Sequence, residues 1–273
     1  MKKHIYNALI VVFLLIFLIS AGSIVWYFID SRIQSGRYDA IAQLKPPIVH
    51  TLPILPDIGQ PPETQMPSPL IPVVDPLTGE TVELLPEFLA LYEMNKDIIG
   101  WLTIPAVDVN YPVMHTPNDP QYYLRRNFDR QKQTRGCLFL DGAADPFAPS
   151  DNLTVYGHKM RDGTMFGKLD RYKEKSFWEE NPYIYFDTLQ DRRVYEIIGV
   201  FQTSGSSGKG FAYHLFVDGS REEFDAFVAQ VKALSLYDTG ITPHYGDKLL
   251  TLSTCDKTLS NGRFVVVAKQ LGS

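Results

Sequence analysis

The chain has 273 residues, a formal net charge of −5, 45% hydrophobic residues and 21% charged residues. That length suits one large domain or two small ones. The composition is that of a folded globular protein, the charge gives no bulk signal for nucleic acid, and two cysteines are too few for a disulfide scaffold.

The N-terminus reads as a membrane segment. Lys2 and Lys3 precede an uncharged apolar run from Ala8 to Phe28. A helix needs about 20 such residues to cross the hydrocarbon core. The positive-inside rule then keeps residues 1–7 cytoplasmic and exports the chain beyond the run. A cleaved signal peptide cut near Ser20 to Ser23 is the rival reading. Signal-peptide apolar regions are shorter, about 7–15 residues, so an uncleaved anchor over 8–28 is expected.

Residues 45–76 hold ten of the nineteen prolines. Such a segment leans to extended polyproline conformation, so residues 29–79 read as a stalk. From about residue 80 to 273 the composition is globular. "LLPEFLALYEMNKD" predicts a helix, with Pro86 in its first turn and Phe88, Leu91 and Tyr92 on one face. Eight short runs rich in Val, Ile, Tyr, Phe and Thr come next, at 100–104, 109–114, 136–141, 152–158, 183–188, 192–203, 248–255 and 263–271. Eight such strands suggest a barrel or sandwich. Helical insertions are expected around Met165 to Tyr172 and over 221–238, where Phe224, Phe227, Val228 and Val231 recur at helical spacing.

The chemistry points to "LLTLSTCDKTLSNGRFVVVAKQ", residues 249–270. Cys255 stands where one apolar strand stops, and Arg263 opens the next, after the turn signal Asn261-Gly262. If those strands are neighbours, thiol and guanidinium emerge near one end of the sheet. An arginine there favours the thiolate and can donate to an oxyanion. A nucleophilic thiol usually has a histidine partner. Of the six histidines, His158 also ends a strand, "NLTVYGH", and the three residues could meet on one rim. Each has a plain reading too: Cys255 as a small buried hydrophobe, His158 as a hydrogen-bonded surface residue, Arg263 as a solvated charge. In an exported protein a Cys137–Cys255 disulfide is a further alternative.

"LSTCD...NGR" with the upstream "YGH" resembles the sortases, the cysteine transpeptidases of Gram-positive surfaces. The resemblance is to class B and covers about residues 84–271. "NKDIIGWLTIP", "VNYPVM", "YYLRRNF" and "NLTVYGHKMRDGTMFGKL" are similar to class B segments in the expected order, and the helix before the cysteine strand is similar to the class B insertion. The resemblance implies a mainly β fold, the eight-stranded sortase barrel with an N-terminal helix and that inserted helix. It implies Cys255 as nucleophile, His158 as acid/base partner and Arg263 as oxyanion donor, with Ser253 and Thr254 along the substrate groove. The implied reaction cleaves a C-terminal sorting motif after Thr, holds a thioacyl intermediate on Cys255, and transfers it to a peptidoglycan or lipid-linked precursor amine. No cofactor, metal or nucleic acid is implied. The implied setting is the cell membrane, reached through residues 8–28, with the catalytic domain extracellular. A cysteine hydrolase using the same pair, and a non-catalytic tethered binding domain with the disulfide, are the competing functions.

Three other patterns carry less. "GSSGKG" at 205–210 lacks the spacing of a phosphate loop and reads as a hairpin loop. Asn152-Leu153-Thr154 fits a glycosylation acceptor but falls in a predicted strand. Asp141, Asp145 and Asp151 match no metal-loop spacing.

Overall fold

The computed structural model describes residues 2–45, 69–74, 81–147, 150–206, 208–256, 258 and 260–272. They fall into two units, Met1–Pro46 and Pro47–Ser273. Most of the proline-rich stretch, residues 46–68 and 75–80, lies outside the described residues.

The first unit is one helix, α1 (Lys2–Leu44). From Leu9 to Ile29 its large apolar side chains are exposed on every side, among them Phe13, Phe17 and Trp26, whereas Tyr38 and Ile41 further on are buried. A helix apolar all round has no single packing stripe. It is long and apolar enough to cross a membrane. The expected span 8–28 lies inside it. The expected stalk starts at residue 29, yet α1 continues to Leu44, because residues 29–44 hold no proline to interrupt the ladder.

The second unit opens with an antiparallel pair, β1 (Ile71–Val74) and β2 (Thr81–Leu84), in register from Ile71↔Leu84 to Val74↔Thr81. Its first strand, β1, falls in the stretch assigned to stalk. Ile71, Val73 and Val74 suit a strand, and Pro72 is tolerated because β1 has β2 as its one strand neighbour. A 3-10 turn (Pro86–Phe88) then runs into α2 (Leu89–Met94). Phe88, Leu91 and Tyr92 are buried as expected. Arg192 donates from Nη2 to Glu87 Oε1 at 2.7 Å, tying this segment to the sheet.

The eight expected strands are all present: β3 (Ile98–Ile104), β4 (Val109–Met114), β5 (Leu138–Leu140), β6 (Asn152–Tyr156), β7 (Tyr183–Thr188), β8 (Arg192–Ser204), β9 (Leu249–Asp256) and β10 (Gly262–Gln270). They close a mixed barrel in the order β10-β8-β7-β3-β4-β5-β6-β9. Two contacts, β4 with β5 and β6 with β9, are parallel. The others are antiparallel. Closure removes free edges, and Trp101, Leu102, Phe186, Tyr195, Leu252 and Val266 are among the side chains it buries completely or nearly so.

Between β6 and β7 lie a 3-10 helix (Leu169–Lys173), where a helix was expected from Met165, and a six-residue α3 (Lys175–Glu180). Between β8 and β9 comes α4 (Arg221–Leu234), opened by a capping box of Ser220 and Glu223. Its Phe224, Phe227, Val228 and Val231 pack on Ile198, Phe201, Leu249, Val265 and Val267 of the barrel wall. Gly199 permits this approach: a Cβ there would sit 2.7 Å from Val231 Cγ1. The 205–210 stretch is not a hairpin loop. It leaves β8 for the long connection to β9, and β8 pairs with β7 and β10 instead.

Candidate active site

The parallel contact of β6 with β9 sets the site. Tyr156 pairs with Ser253, and the pattern runs past the strand end. Gly157 N donates to Ser253 O at 3.1 Å. Thr254 Oγ1 donates to Gly157 O at 2.7 Å. His158 therefore emerges beside the end of β9 that carries Cys255. Gly157 is required here by space, since a Cβ would lie 2.5 Å from Leu138 Cδ2 and 2.6 Å from Phe166 Cδ2.

The antiparallel contact of β9 with β10 completes it. Arg263 is the Cα partner of Cys255. Directly opposed residues point to the same face, so thiol and guanidinium share a face. Cys255 is the one exposed residue of β9. Asn261 takes a left-handed turn conformation with φ 50°. Arg263 Nη1 donates to Asn261 O, Asn261 Oδ1 and Gly262 O at 3.1–3.3 Å. The turn thus holds one guanidinium nitrogen, and Nε and Nη2 have no hydrogen-bond partner among the described residues.

His158 Nε2 lies 2.8 Å from the carbonyl of Leu124. A carbonyl can only accept, so Nε2 carries the proton and Nδ1 is left to accept. Burial disfavours the imidazolium and lowers the His158 pKa from its usual 6.5; the Leu124 carbonyl opposes this, and the nearby Arg125 charge adds to it. The ring is neutral at physiological pH, with a lone pair available.

A cleft of about 800 Å³ gathers these groups. Cys255, His158, Arg263, Ser253 and Thr254 all line it, together with Leu124, Tyr156, Tyr213 and residues of the 204–206 and 210–215 stretches. Ser253 is buried, and its Oγ is 2.5 Å from Tyr213 Oη. Burial raises the Tyr213 pKa, so the phenol stays protonated. Tyr156 Oη donates to Asp141 Oδ2 at 2.8 Å. Thr254 turns its hydroxyl to the Gly157 carbonyl, a placement that joins two strands. Tyr213, Leu124 and the Tyr156–Asp141 pair were not anticipated. Tyr213 and Leu124 come from short 3-10 turns in the connections, where no local pattern marks them as site residues, and Tyr156 reads only as a strand residue.

No disulfide joins the two cysteines: Cys137 is buried and Cys255 exposed, both as thiols. The disulfide-stapled binding module is thereby excluded. Asn152 is fully buried, donating to Phe216 O at 2.9 Å and accepting from Thr251 Oγ1 at 2.8 Å, so it offers no glycosylation acceptor. Among the described residues no group of three or more His, Cys, Asp or Glu is placed to hold a metal ion.

A closed mixed barrel that sets a thiol opposite a guanidinium, with an imidazole on the neighbouring parallel strand end, defines a cysteine acyl-transfer enzyme by its chemistry. Residues 102–271 match the family model described as Sortase domain. Sortase B of Listeria monocytogenes is 31% identical over 194 residues, covering 70% of this chain and 77% of that protein. Sortase B of Staphylococcus aureus is 29% identical over 187 residues, covering 67% and 74%. Among solved structures, Bacillus anthracis sortase B superposes with a TM-score of 0.59 at 34% identity, covering 68% of this chain and 83% of that one. A Staphylococcus aureus sortase B–substrate complex superposes at 0.63 and 28% identity, covering 69% and 86%. The chain belongs to the sortase family, class B. It is a cysteine transpeptidase with a role at the cell wall.

Proposed function

We propose that this protein cleaves a C-terminal sorting signal of secreted proteins after Thr, carries the acyl group on Cys255, and passes it to an amine of the peptidoglycan or its lipid-linked precursor. The observation that supports this best is the pairing of Cys255 with Arg263 across β9 and β10, with His158 on the adjoining end of β6. The solved Staphylococcus aureus relative was captured with a substrate, which favours a peptide in the corresponding cleft here.

In this reading His158 Nδ1 takes the Cys255 proton, and the thiolate attacks the Thr carbonyl carbon. The S–C bond forms as the carbonyl becomes an oxyanion. Arg263 stabilises that charge through the guanidinium nitrogens its turn leaves unbound. Collapse breaks the C–N bond, and His158 returns the proton to the leaving amine. The acceptor amine then attacks the thioester. His158 receives its proton and hands it to the departing thiolate. One amide is exchanged for another, so no nucleotide is consumed. Ser253 and Thr254 shape the groove floor, Ser253 through Tyr213 and Thr254 through Gly157.

Residues 8–28 act as the span, with residues 1–7 cytoplasmic beside Lys2 and Lys3. Residues 29–79 set the catalytic domain, 80–273, off the outer surface of the membrane.

The deciding experiment mixes the protein with a small panel of peptides of the Asn-Pro-x-Thr-Asn and Pro-x-Thr-Gly types without an amine. An acyl-sized mass increase mapped to Cys255 is expected. Unchanged cleavage of the peptides by Cys255→Ala would overturn the proposal.

A further inference from the structure

Asp256 comes directly after the thiol and is almost wholly buried. Strand alternation turns its side chain away from the cleft face that carries Cys255. Four donors converge on its carboxylate. Thr258 donates to Oδ1 from its backbone N at 2.8 Å and from its Oγ1 at 2.7 Å. Gln202 Nε2 of β8 reaches Oδ2 at 2.5 Å and also Thr258 Oγ1 at 2.9 Å. Lys173 Nζ reaches Oδ2 at 3.3 Å and lies over the Phe264 ring, 5.4 Å from its centroid. Burial alone would raise this carboxyl, but the Thr258, Gln202 and Lys173 donors outweigh it and hold the group well below the usual carboxylate range.

Lys173 is the last residue of the 3-10 helix that ends the segment begun by His158. That segment is knit together: Phe166 N donates to His158 O at 3.0 Å, Lys159 pairs with Met165 in a β-bridge, and Lys159 Nζ meets Asp170 Oδ2 at 2.7 Å. At its start it is joined to β9 by the Thr254–Gly157 bond. At its end the ion pair of Lys173 with Asp256 joins it to β9 again. The imidazole-bearing segment is thus tied to the thiol-bearing strand on both sides of the pair.

We infer that Asp256 is a positioning residue, which clamps the His158 segment to the end of β9 through Lys173 and so sets the approach of the imidazole to the Cys255 thiol. The inference rests on the proposed pairing of His158 with Cys255. The contact is suited to the task, because removing either partner takes away the ion pair that spans the two segments, and the geometry between them loosens. A misplacement of about 1 Å at reacting groups is enough to cost roughly a hundredfold in rate.

The test reads thiol chemistry and needs no sorting motif. The full chain in detergent is alkylated with iodoacetamide from pH 5 to 10, and modification of Cys255 is tracked by peptide mass; Cys137 is shielded by burial. The wild type is expected to show an imidazole inflection that His158→Ala abolishes. Asp256→Asn, which keeps the shape, and Lys173→Met, which leaves β9 untouched, should each lose that inflection and slow alkylation at pH 7 by about tenfold or more. The double variant should be no slower than the worse single one, since both break the same link. A merely structural carboxylate would lower the melting temperature and leave the inflection in place. Folded Asp256→Asn and Lys173→Met proteins with the wild-type profile would overturn the clamp. A His158→Ala profile identical to wild type would instead overturn the proposed pairing, which keeps the two failures apart.

Discussion

Thr254 Oγ1 donates to the Gly157 carbonyl at 2.7 Å, so the residue before the thiol holds the residue before the imidazole. Thr254→Val keeps the shape and removes the donor. Losing this part-buried hydrogen bond costs about 0.5–1.5 kcal/mol. Urea unfolding should show that loss, and transfer should slow more than the stability change explains, because His158 is released with Gly157.

Gly157→Ala tests the same junction by crowding. The new methyl group would press on Leu138 and Phe166 at distances no Cβ tolerates. Overpacking of this kind costs about 1–3 kcal/mol. A lower melting temperature together with a transfer rate reduced at least tenfold is the expected pair of results; wild-type behaviour in both would contradict the tight packing.

Arg263→Lys keeps the charge opposite Cys255 but loses the fork. The turn now holds Nη1 through Asn261 and Gly262, and a single ammonium cannot both make those bonds and reach an oxyanion. Transfer should fall by roughly a hundredfold, the scale of losing one oxyanion donor. The melting temperature should hold nearly steady, and a matching loss of stability would assign Arg263 a structural role instead.

His158 also predicts a pH effect on stability. Burial lowers its folded pKa below the unfolded value of 6.5. The unfolded chain then binds the proton first, so this contribution is complete above pH 6.5 and is lost as pH falls toward the folded value. His115, also lowered mainly by burial, acts in the same direction. The drop in urea midpoint between pH 7.5 and pH 5.5 should therefore be smaller in His158→Gln than in wild type. An equal drop would mean the ring is not protected from protonation.

The barrel strands were legible because their β-branched and aromatic runs are bounded by Gly, Pro, Asn and Asp. Cys255 and Arg263 were legible as neighbours because Asn261-Gly262 announces a turn between them. What local pattern does not carry is long-range order. Nothing in "NLTVYGH" says that it runs parallel to "LLTLSTC", and that contact places His158 in the same cleft as Cys255. Strand β1 was hidden in a proline-rich stretch, where Pro72 argues against a strand unless it stands at an edge. The six residues of α3 are too few to display a period. Tyr213 and Asp256 became visible only through their partners, Ser253 in one case and Lys173 and Gln202 in the other.

On the proposed pairing of His158 with Cys255, the parallel seam of β6 with β9 also governs when the chain becomes reactive. Its junction joins residues 97 positions apart, and such distant contacts form late because the intervening loop must first be ordered. Until the seam closes, the thiol has no imidazole beside it. A chain emerging unfolded across a membrane would carry an unarmed cysteine among many foreign peptides. On the proposed mechanism barrel closure is thus the protein's own safety catch: Cys255 gains its partner only once this long-range seam has formed.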